Sequence, residues 1–135
     1  MPSVNAKRIV LSQTAVFSSK KTDLLVSQVT DRFKRDPQTR QVTEEPDGFN
    51  LTVLSPSTGE PQTVKLPLEL KEEVEKVRAA LLADNVVRVS FNGTMRGKFW
   101  AMVSDGRLNQ GISATATDMT VVSIEVPDED YLDLE

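Results

Sequence analysis

Two clusters of cationic and aromatic side chains have the chemistry needed to hold a strand of nucleic acid. The first is Arg32-Phe33-Lys34-Arg35, with Arg40 a few residues beyond it. The second is Arg96-Gly97-Lys98-Phe99-Trp100, with Arg107 past the next turn. Cations displace the counterions of phosphates, and aromatic rings are platforms on which bases stack. The sequence therefore predicts a nucleic-acid-binding groove, with Phe49 as a further platform between the two clusters.

Several of these residues also suit a purely structural role. A run of charges such as residues 32–35 is typical of a solvated hairpin end. The sequence favours the hydrophobic core over a platform for Phe49 and Phe91, and leaves Phe33 balanced between the two. Both interpretations stay open for the first cluster and for the platform at Phe49.

The second cluster leaves a different question open. Phe99 and Trp100 are adjacent, so in a β-strand their side chains point to opposite faces. One of them can fill the core while the other meets a ligand, and the sequence does not distinguish them. Lys20 and Lys21 are interpreted as ordinary surface residues.

The net charge of −4 at first argues against a nucleic-acid partner, but its distribution along the chain changes that view. Residues 1–40 carry a net charge of +5 and residues 86–124 carry +2, whereas residues 41–85 carry −5. Residues 125–135 carry six acids and no base. The acidic total is therefore largely a property of the C-terminal tail, and basic stretches remain in front of it.

An enzyme is not expected. The chain has no cysteine and no histidine, which excludes thiolate nucleophiles, disulfides, zinc sites built from these residues and every triad that needs a histidine. No Walker-type glycine loop is present. Candidate metal-binding carboxylates occur in three groups without convincing partners: Glu44, Glu45 and Asp47; Glu72, Glu73 and Glu75; and residues 128–130. We therefore expect no catalytic residue, no metal and no cofactor.

Periodicity predicts mostly β-strands. The stretch from Asp23 to Phe33 alternates imperfectly, as a long strand with a bend or a bulge would. Turns are predicted at residues 34–38, where Pro37 cannot donate to a ladder, and at residues 44–48. The predicted strands are Arg8–Phe17, Asp23–Phe33, Phe49–Leu54, Gln62–Leu66, Val86–Phe91, Lys98–Val103 and Gly111–Ile124.

One segment has helical periodicity instead. Five apolar residues recur at spacings of four, three, four and one between Leu68 and Asn85, with charged residues on the other face: Leu70, Val74, Val77, Leu81 and Leu82. Pro67 precedes this segment, and acids crowd its first turn. The sequence predicts an amphipathic helix that closes one end of a sheet or barrel.

The order of three strands, a helix and two strands resembles the five-stranded oligonucleotide/oligosaccharide-binding barrel, the OB-fold. The resemblance covers residues 22–122. Residues 87–93 are similar to the fourth strand of that fold, and residues 112–122 are similar to its closing strand. It implies a mainly β, OB-fold-like barrel with one helix and an extra N-terminal strand over residues 1–124. It also implies a ligand surface on strands 2 and 3 and on the neighbouring loops, where both clusters fall.

Residues 125–135 add a second point of resemblance. Bacterial single-stranded-DNA-binding proteins have an OB domain followed by an acidic C-terminus that recruits partners. This tail differs, because it ends in Tyr131-Leu-Asp-Leu-Glu135 instead of the family's Ile-Pro-Phe ending, and Leu134-Glu135 could be a cloning remnant. A solubilising end is the alternative. The small, divergent chain is similar to the members of this family encoded by phages, plasmids and conjugative elements.

These features together predict a cytoplasmic protein that binds single-stranded DNA without sequence specificity, in plasmid or phage replication or in conjugative DNA transfer. RNA is an open alternative ligand. Homo-oligomerisation through the strand at residues 8–17 and contacts of the tail with replication or transfer proteins are possible partner interactions. No membrane contact is expected, since no apolar run approaches the length of a membrane helix. The alternative function is a protein-interaction or structural accessory module of a phage or mobile-element machine.

Overall fold

Residues 10–127, which the computed structural model describes, form eight β-strands and two α-helices. Helix α1 spans Gln13–Phe17, and helix α2 spans Lys71–Leu82 after a 3-10 turn at Leu68–Leu70. The strands are β1 (Val10–Ser12), β2 (Asp23–Arg35), β3 (Val42–Leu54), β4 (Pro61–Leu66), β5 (Val86–Ser90), β6 (Arg96–Ser104), β7 (Arg107–Thr115) and β8 (Thr120–Glu125).

The eight strands pair in the order β1-β6-β7-β4-β3-β2-β5-β8. All neighbouring pairs are antiparallel except β4 and β7, which run parallel, so the sheet is mixed. It is open, with β1 and β8 at its edges. The mainly β composition with one long helix agrees with the sequence prediction. The predicted five-stranded, OB-fold-like barrel is wrong, because the described residues form a larger, open sheet.

One extra strand comes from an interruption that the sequence pattern did not show. The predicted closing strand Gly111–Ile124 is divided into β7, which pairs with β6 and β4, and β8, which pairs with β5. The side chain of Thr94 fixes this division. Its Oγ1 accepts hydrogen bonds from the backbone N–H groups of Thr117 (3.2 Å) and Asp118 (3.0 Å). Side-chain partners of this kind satisfy backbone groups that would otherwise continue a ladder.

The predicted first strand is also shorter than expected. Only Val10–Ser12 is extended, and α1 follows at once, so the strand prediction for residues 13–17 is wrong. Ser12 causes the change, because its hydroxyl accepts a hydrogen bond from the Ala15 N–H at 3.3 Å and caps the helix. Arg8, which began the predicted strand, lies outside the described residues.

Of the two turns predicted between residues 34 and 48, the β2–β3 hairpin contains only the first. Residues 36–41 turn the chain, with the Arg40 N–H donating to the Asp36 carbonyl at 2.7 Å. The predicted turn at residues 44–48 is instead part of β3. Pro46 is tolerated there because it lies opposite Phe33 at a shift of register, where a ladder bond is already lost. The bulge expected in the first long strand is present as three such shifts in β2.

Buried residues of the sheet, of α1 and of α2 form one hydrophobic core. Helix α2 contributes Val74 and Val77, which the sequence predicts for its apolar face, and also Ala80. The prediction is wrong for Leu82, which is 81% exposed. The sheet contributes alternate residues, among them Leu51 and Val53, which are fully buried. None of the helices within residues 10–127 combines the length and apolar character needed to cross a membrane. Of the predicted tail at residues 125–135, residues 128–135 lie outside the described part of the chain.

The carboxylate of Glu73 connects α2 to the edge strand β8. Its Oε1 lies 2.9 Å from the Lys76 Nζ, and its Oε2 accepts a hydrogen bond from the Val121 N–H at 3.2 Å. The hydrogen bond from Lys76, and then the one from Val121, lower the pKa of Glu73 below its ordinary value of 4.5. Both bonds favour the ionised carboxylate.

Replacing this carboxylate by its neutral isostere, Glu73→Gln, should therefore have a pH-dependent effect on stability. A lowered folded-state pKa contributes stability that is present above about pH 4.5 and is lost as the pH falls through the lowered value. We expect the free energy of unfolding of the variant to lie about 1 kcal/mol below that of the unmodified protein at pH 7. Urea titrations at pH 7 and pH 3 measure this difference, which should shrink at pH 3. An equal difference at both pH values would contradict the assignment.

Candidate nucleic-acid interface

Arg32, the first cation of the first cluster, is used inside the fold. Its Nη2 donates to the carbonyl oxygens of Asp47 (3.1 Å) and Leu66 (3.5 Å), and its Nη1 donates to that of Phe49 (3.4 Å). Its Nε lies 3.5 Å from the Asp47 carboxylate. The guanidinium thus joins β2 to β3 and β4, and few of its donors are left for a phosphate.

Of the other cations of this cluster, Lys34 is paired with an acid, whereas Arg35 and Arg40 are not. Lys34 pairs with Glu45 at 3.1 Å, which cancels its charge on the surface. Arg35 donates to the Arg40 carbonyl at 3.0 Å, which holds the two arginines together at the tip of the hairpin. Within residues 10–127 neither of them forms an ion pair with a carboxylate. Of this cluster, Arg35 and Arg40 remain suited to contact an anion.

The aromatic rings predicted for this region are not gathered beside those cations. Phe33 is 38% exposed, but it lines a cavity of about 620 Å³ with Leu68 and residues of α2. Arg32 and Lys34 line a different groove. Phe49 is only 5% exposed and belongs to the core, as does Phe91. We therefore leave Phe49 out of the candidate interface.

The second cluster lies on the hairpin of β6 and β7, which extends beyond the rest of the sheet. The two strands pair along their whole length, from Arg96 opposite Thr115 to Ser104 opposite Arg107. Pairing of β6 with β1 reaches only as far as Lys98, and β7 pairs with β4 only near its C-terminal end. The outer part of the hairpin, residues 99–112, is therefore a two-stranded arm that pairs only with itself.

The register of the whole β6–β7 hairpin, the arm and its base, sorts the side chains into two faces of different character. Residues directly opposite each other share a face, and successive residues alternate between faces. One face, which we call the cationic face, carries Arg96, Lys98, Trp100, Met102 and Arg107. The opposite face, which we call the apolar face, carries mostly apolar residues: Phe99, Ala101, Val103, Leu108 and Ile112, with Gln110 opposite Ala101.

Trp100 is the aromatic residue of the cationic face, and Phe99 lies on the opposite face. It lies opposite Gly111, and its indole covers that glycine so closely that a Cβ there would lie 2.9 Å from Cζ2 of the ring. The ring therefore lies flat against β7, and 37% of the residue's surface stays exposed. Phe99 is half-buried on the other face, opposite Ile112.

No carboxylate opposes the cations of this face. Asp105, in the turn, is the one acid between residues 96 and 115. Among the ion pairs of residues 10–127, none involves Arg96, Lys98 or Arg107. The guanidinium of Arg96 is held in place, since its Nη1 donates to the carbonyls of Gly93 (2.8 Å) and Met95 (2.7 Å). The arrangement offers positive charge and one flat aromatic surface on a single face.

Two further cations were missed by sequence reasoning. Lys20 and Lys21 line a cleft of about 720 Å³ together with Arg96, which also belongs to the cationic face. Arg96 lies more than 70 residues from the two lysines along the chain, so no local pattern signals this arrangement. Only the folding of the segment after α1 against the β5–β6 connection creates it.

Comparisons with protein-family models, with curated proteins and with solved structures gave no match.

Proposed function

We propose that this protein binds single-stranded DNA without sequence specificity, using the cationic face of the β6–β7 arm as the interface. The observation that carries the proposal is the placement of Trp100 among Arg96, Lys98 and Arg107, on one face without an opposing carboxylate. Handling of single strands during replication or conjugative transfer of a mobile element is the process we associate with this activity.

The chemistry of the face suits a strand with its bases unstacked. Lysine and arginine neutralise phosphates and release their counterions, which favours binding of any sequence. The exposed indole offers a surface on which any base can stack. The nine residues of β6 extend over roughly 27 Å at the usual rise per residue, so several nucleotides fit along the arm.

A fluorescence titration tests the proposal directly. Trp100 is the single tryptophan of the chain, so its emission reports stacking at the proposed platform. We expect a 60-nucleotide DNA to quench this emission, with an affinity that falls steeply as salt is raised. A matched RNA in the same titration establishes whether the 2′-hydroxyl affects binding. Failure of the DNA to bind at low salt would refute the proposal.

The platform can be tested by substitution. Trp100→Ala should weaken binding of single-stranded DNA about tenfold, because stacking on an aromatic residue contributes about 1–3 kcal/mol per base. Trp100→Phe should restore part of this loss. Fluorescence anisotropy of a labelled oligonucleotide measures both variants. The control is Leu108→Ala, which shortens an exposed side chain on the apolar face of the same arm and should leave the affinity unchanged.

A protein-interaction module is the second candidate function, and one observation favours it. On the apolar face of the arm, Val103 and Leu108 are 72% and 63% exposed. Exposed apolar side chains gathered on one face are characteristic of protein contacts. The DNA titration also separates the two candidates, since only the first requires salt-sensitive quenching of Trp100.

A further inference from the structure

The cleft lined by Lys20, Lys21 and Arg96 is a second site that the proposed interface does not require. It lies between the segment joining α1 to β2 and the segment joining β5 to β6. No carboxylate is among its lining residues, and the others are mostly polar: Ser12, Gln13, Thr14, Thr22, Ser90 and Asn92, with Val10 and Gly93. We propose that this cleft binds a phosphate monoester, either free as a nucleotide or at the end of a DNA strand.

The two lysines are presented by a segment whose backbone is held in place. The Gln13 side-chain amide donates to the Lys21 carbonyl at 3.2 Å, and the Lys21 N–H donates to the Ser19 hydroxyl at 3.2 Å. Both lysines are exposed, and within residues 10–127 neither forms an ion pair. Their ammonium groups are thus available to an anion in the cleft.

Arg96 adds a guanidinium that is already oriented. Its two bonds to backbone carbonyls use only Nη1. Within the described part of the chain, Nε and Nη2 donate no hydrogen bond, so they can engage an oxyanion. Ser90 adds a hydroxyl whose oxygen accepts from the Asn92 N–H at 3.1 Å, which leaves its own proton to donate.

The charge and size of the cleft favour a monoester over an internal phosphodiester. A monoester carries a charge of about −1.5 to −2 near pH 7, whereas each phosphodiester of a strand carries one negative charge. Three cations without a carboxylate select for the higher charge. The volume of about 720 Å³ lies among those of small-molecule sites, which suits a nucleotide more than an isolated ion.

The two sources of the monoester differ in whether they depend on the proposed function. Because Arg96 belongs to both surfaces, a strand that follows the cationic face would bring its end to the cleft; this source rests on the proposed function. A free nucleotide would bind in the cleft whether or not the arm binds DNA. The experiment therefore has two parts, one for each source of the monoester.

The first part compares the 5′-phosphorylated, 3′-phosphorylated and unphosphorylated forms of one 12-nucleotide thymidine oligomer by fluorescence anisotropy. We expect one phosphorylated form to bind about fivefold more tightly than the unphosphorylated form at low salt. The variant K20A/K21A should lose this preference while still binding the unphosphorylated oligomer. The second part measures the binding of thymidine monophosphate and of thymidine by calorimetry. Only the monophosphate should bind, and the variant K20A/K21A should not bind it.

The variant R40A/K71A is the matched control, since it removes two exposed cations, at the tip of the β2–β3 hairpin and at the start of α2, that lie outside the cleft and outside the β6–β7 hairpin. It should keep whatever preference the unmodified protein shows. A preference for a monoester that depends on Lys20 and Lys21, in either part of the experiment, supports the inference and identifies the source. Equal binding of all three oligomers together with no binding of the monophosphate overturns it. Binding of the monophosphate without any binding of oligomers would refute the proposed function and leave the inference standing.

Discussion

Removing two charges from the cationic face, in the variant K98Q/R107Q, is expected to weaken binding of single-stranded DNA about 100-fold at low salt. Lys98 and Arg107 are the cations of that face without a role in the fold, because within the described residues neither side chain makes a hydrogen bond or an ion pair. Each charge-assisted contact to a phosphate contributes on the order of 1.5 kcal/mol, which is about tenfold in affinity. The plot of log affinity against log salt concentration should also lose about 1.4 of its slope, at about 0.7 for each phosphate of a single strand.

The variant R35Q/R40Q is the most informative comparison, since it removes the same charge from the tip of the β2–β3 hairpin. Sequence reasoning placed both residues in the groove, and the structure leaves both exposed. We expect this variant to bind within about threefold of the unmodified protein, because long-range attraction alone is weak and is screened by salt. K71Q, on the helix, controls for net charge. A larger loss in R35Q/R40Q than in K98Q/R107Q would move the interface to the β2–β3 hairpin.

The largest expected effect on stability is that of Gly48→Ala. Gly48 has a φ of +142°, a conformation that residues with a side chain rarely adopt. A Cβ at this position would collide with the Leu66 carbonyl oxygen and lie 2.6 Å from the Arg32 Nη2. The new methyl group would expel the guanidinium that joins β2 to β3 and β4. We expect the free energy of unfolding to fall by about 3–4 kcal/mol, measured by urea denaturation.

Gly59→Ala separates the two causes of this effect. Gly59 also has a positive φ, +75°, but a Cβ there would meet no atom within 4 Å. Its substitution should cost only the conformational term, about 1 kcal/mol. Equal losses for the two variants would show that backbone conformation alone makes Gly48 necessary, and would contradict the role given to the Arg32 contacts.

Local patterns in the sequence were sufficient to predict the long helix and the buried parts of the strands. The apolar spacing of Val74 and Val77 predicted α2, and the alternation around Leu51 and Val53 predicted the buried part of β3. These predictions succeed because helical and extended periodicities follow from backbone geometry within a few residues. They fail where one side chain redirects the backbone, as Ser12 does in starting α1 and Thr94 does in separating β7 from β8.

The candidate site shows the same division. The sequence by itself determined which chemistry is available: cations and aromatic rings in two clusters, and no cysteine or histidine. Only the tertiary structure decided which cations are neutralised, because Arg32 and Lys34 form ion pairs with acidic residues of the neighbouring strand β3. It also decided that Trp100 shares a face with Arg96 and Lys98, because strand register, which depends on contacts distant in sequence, selects the face of every side chain in the hairpin.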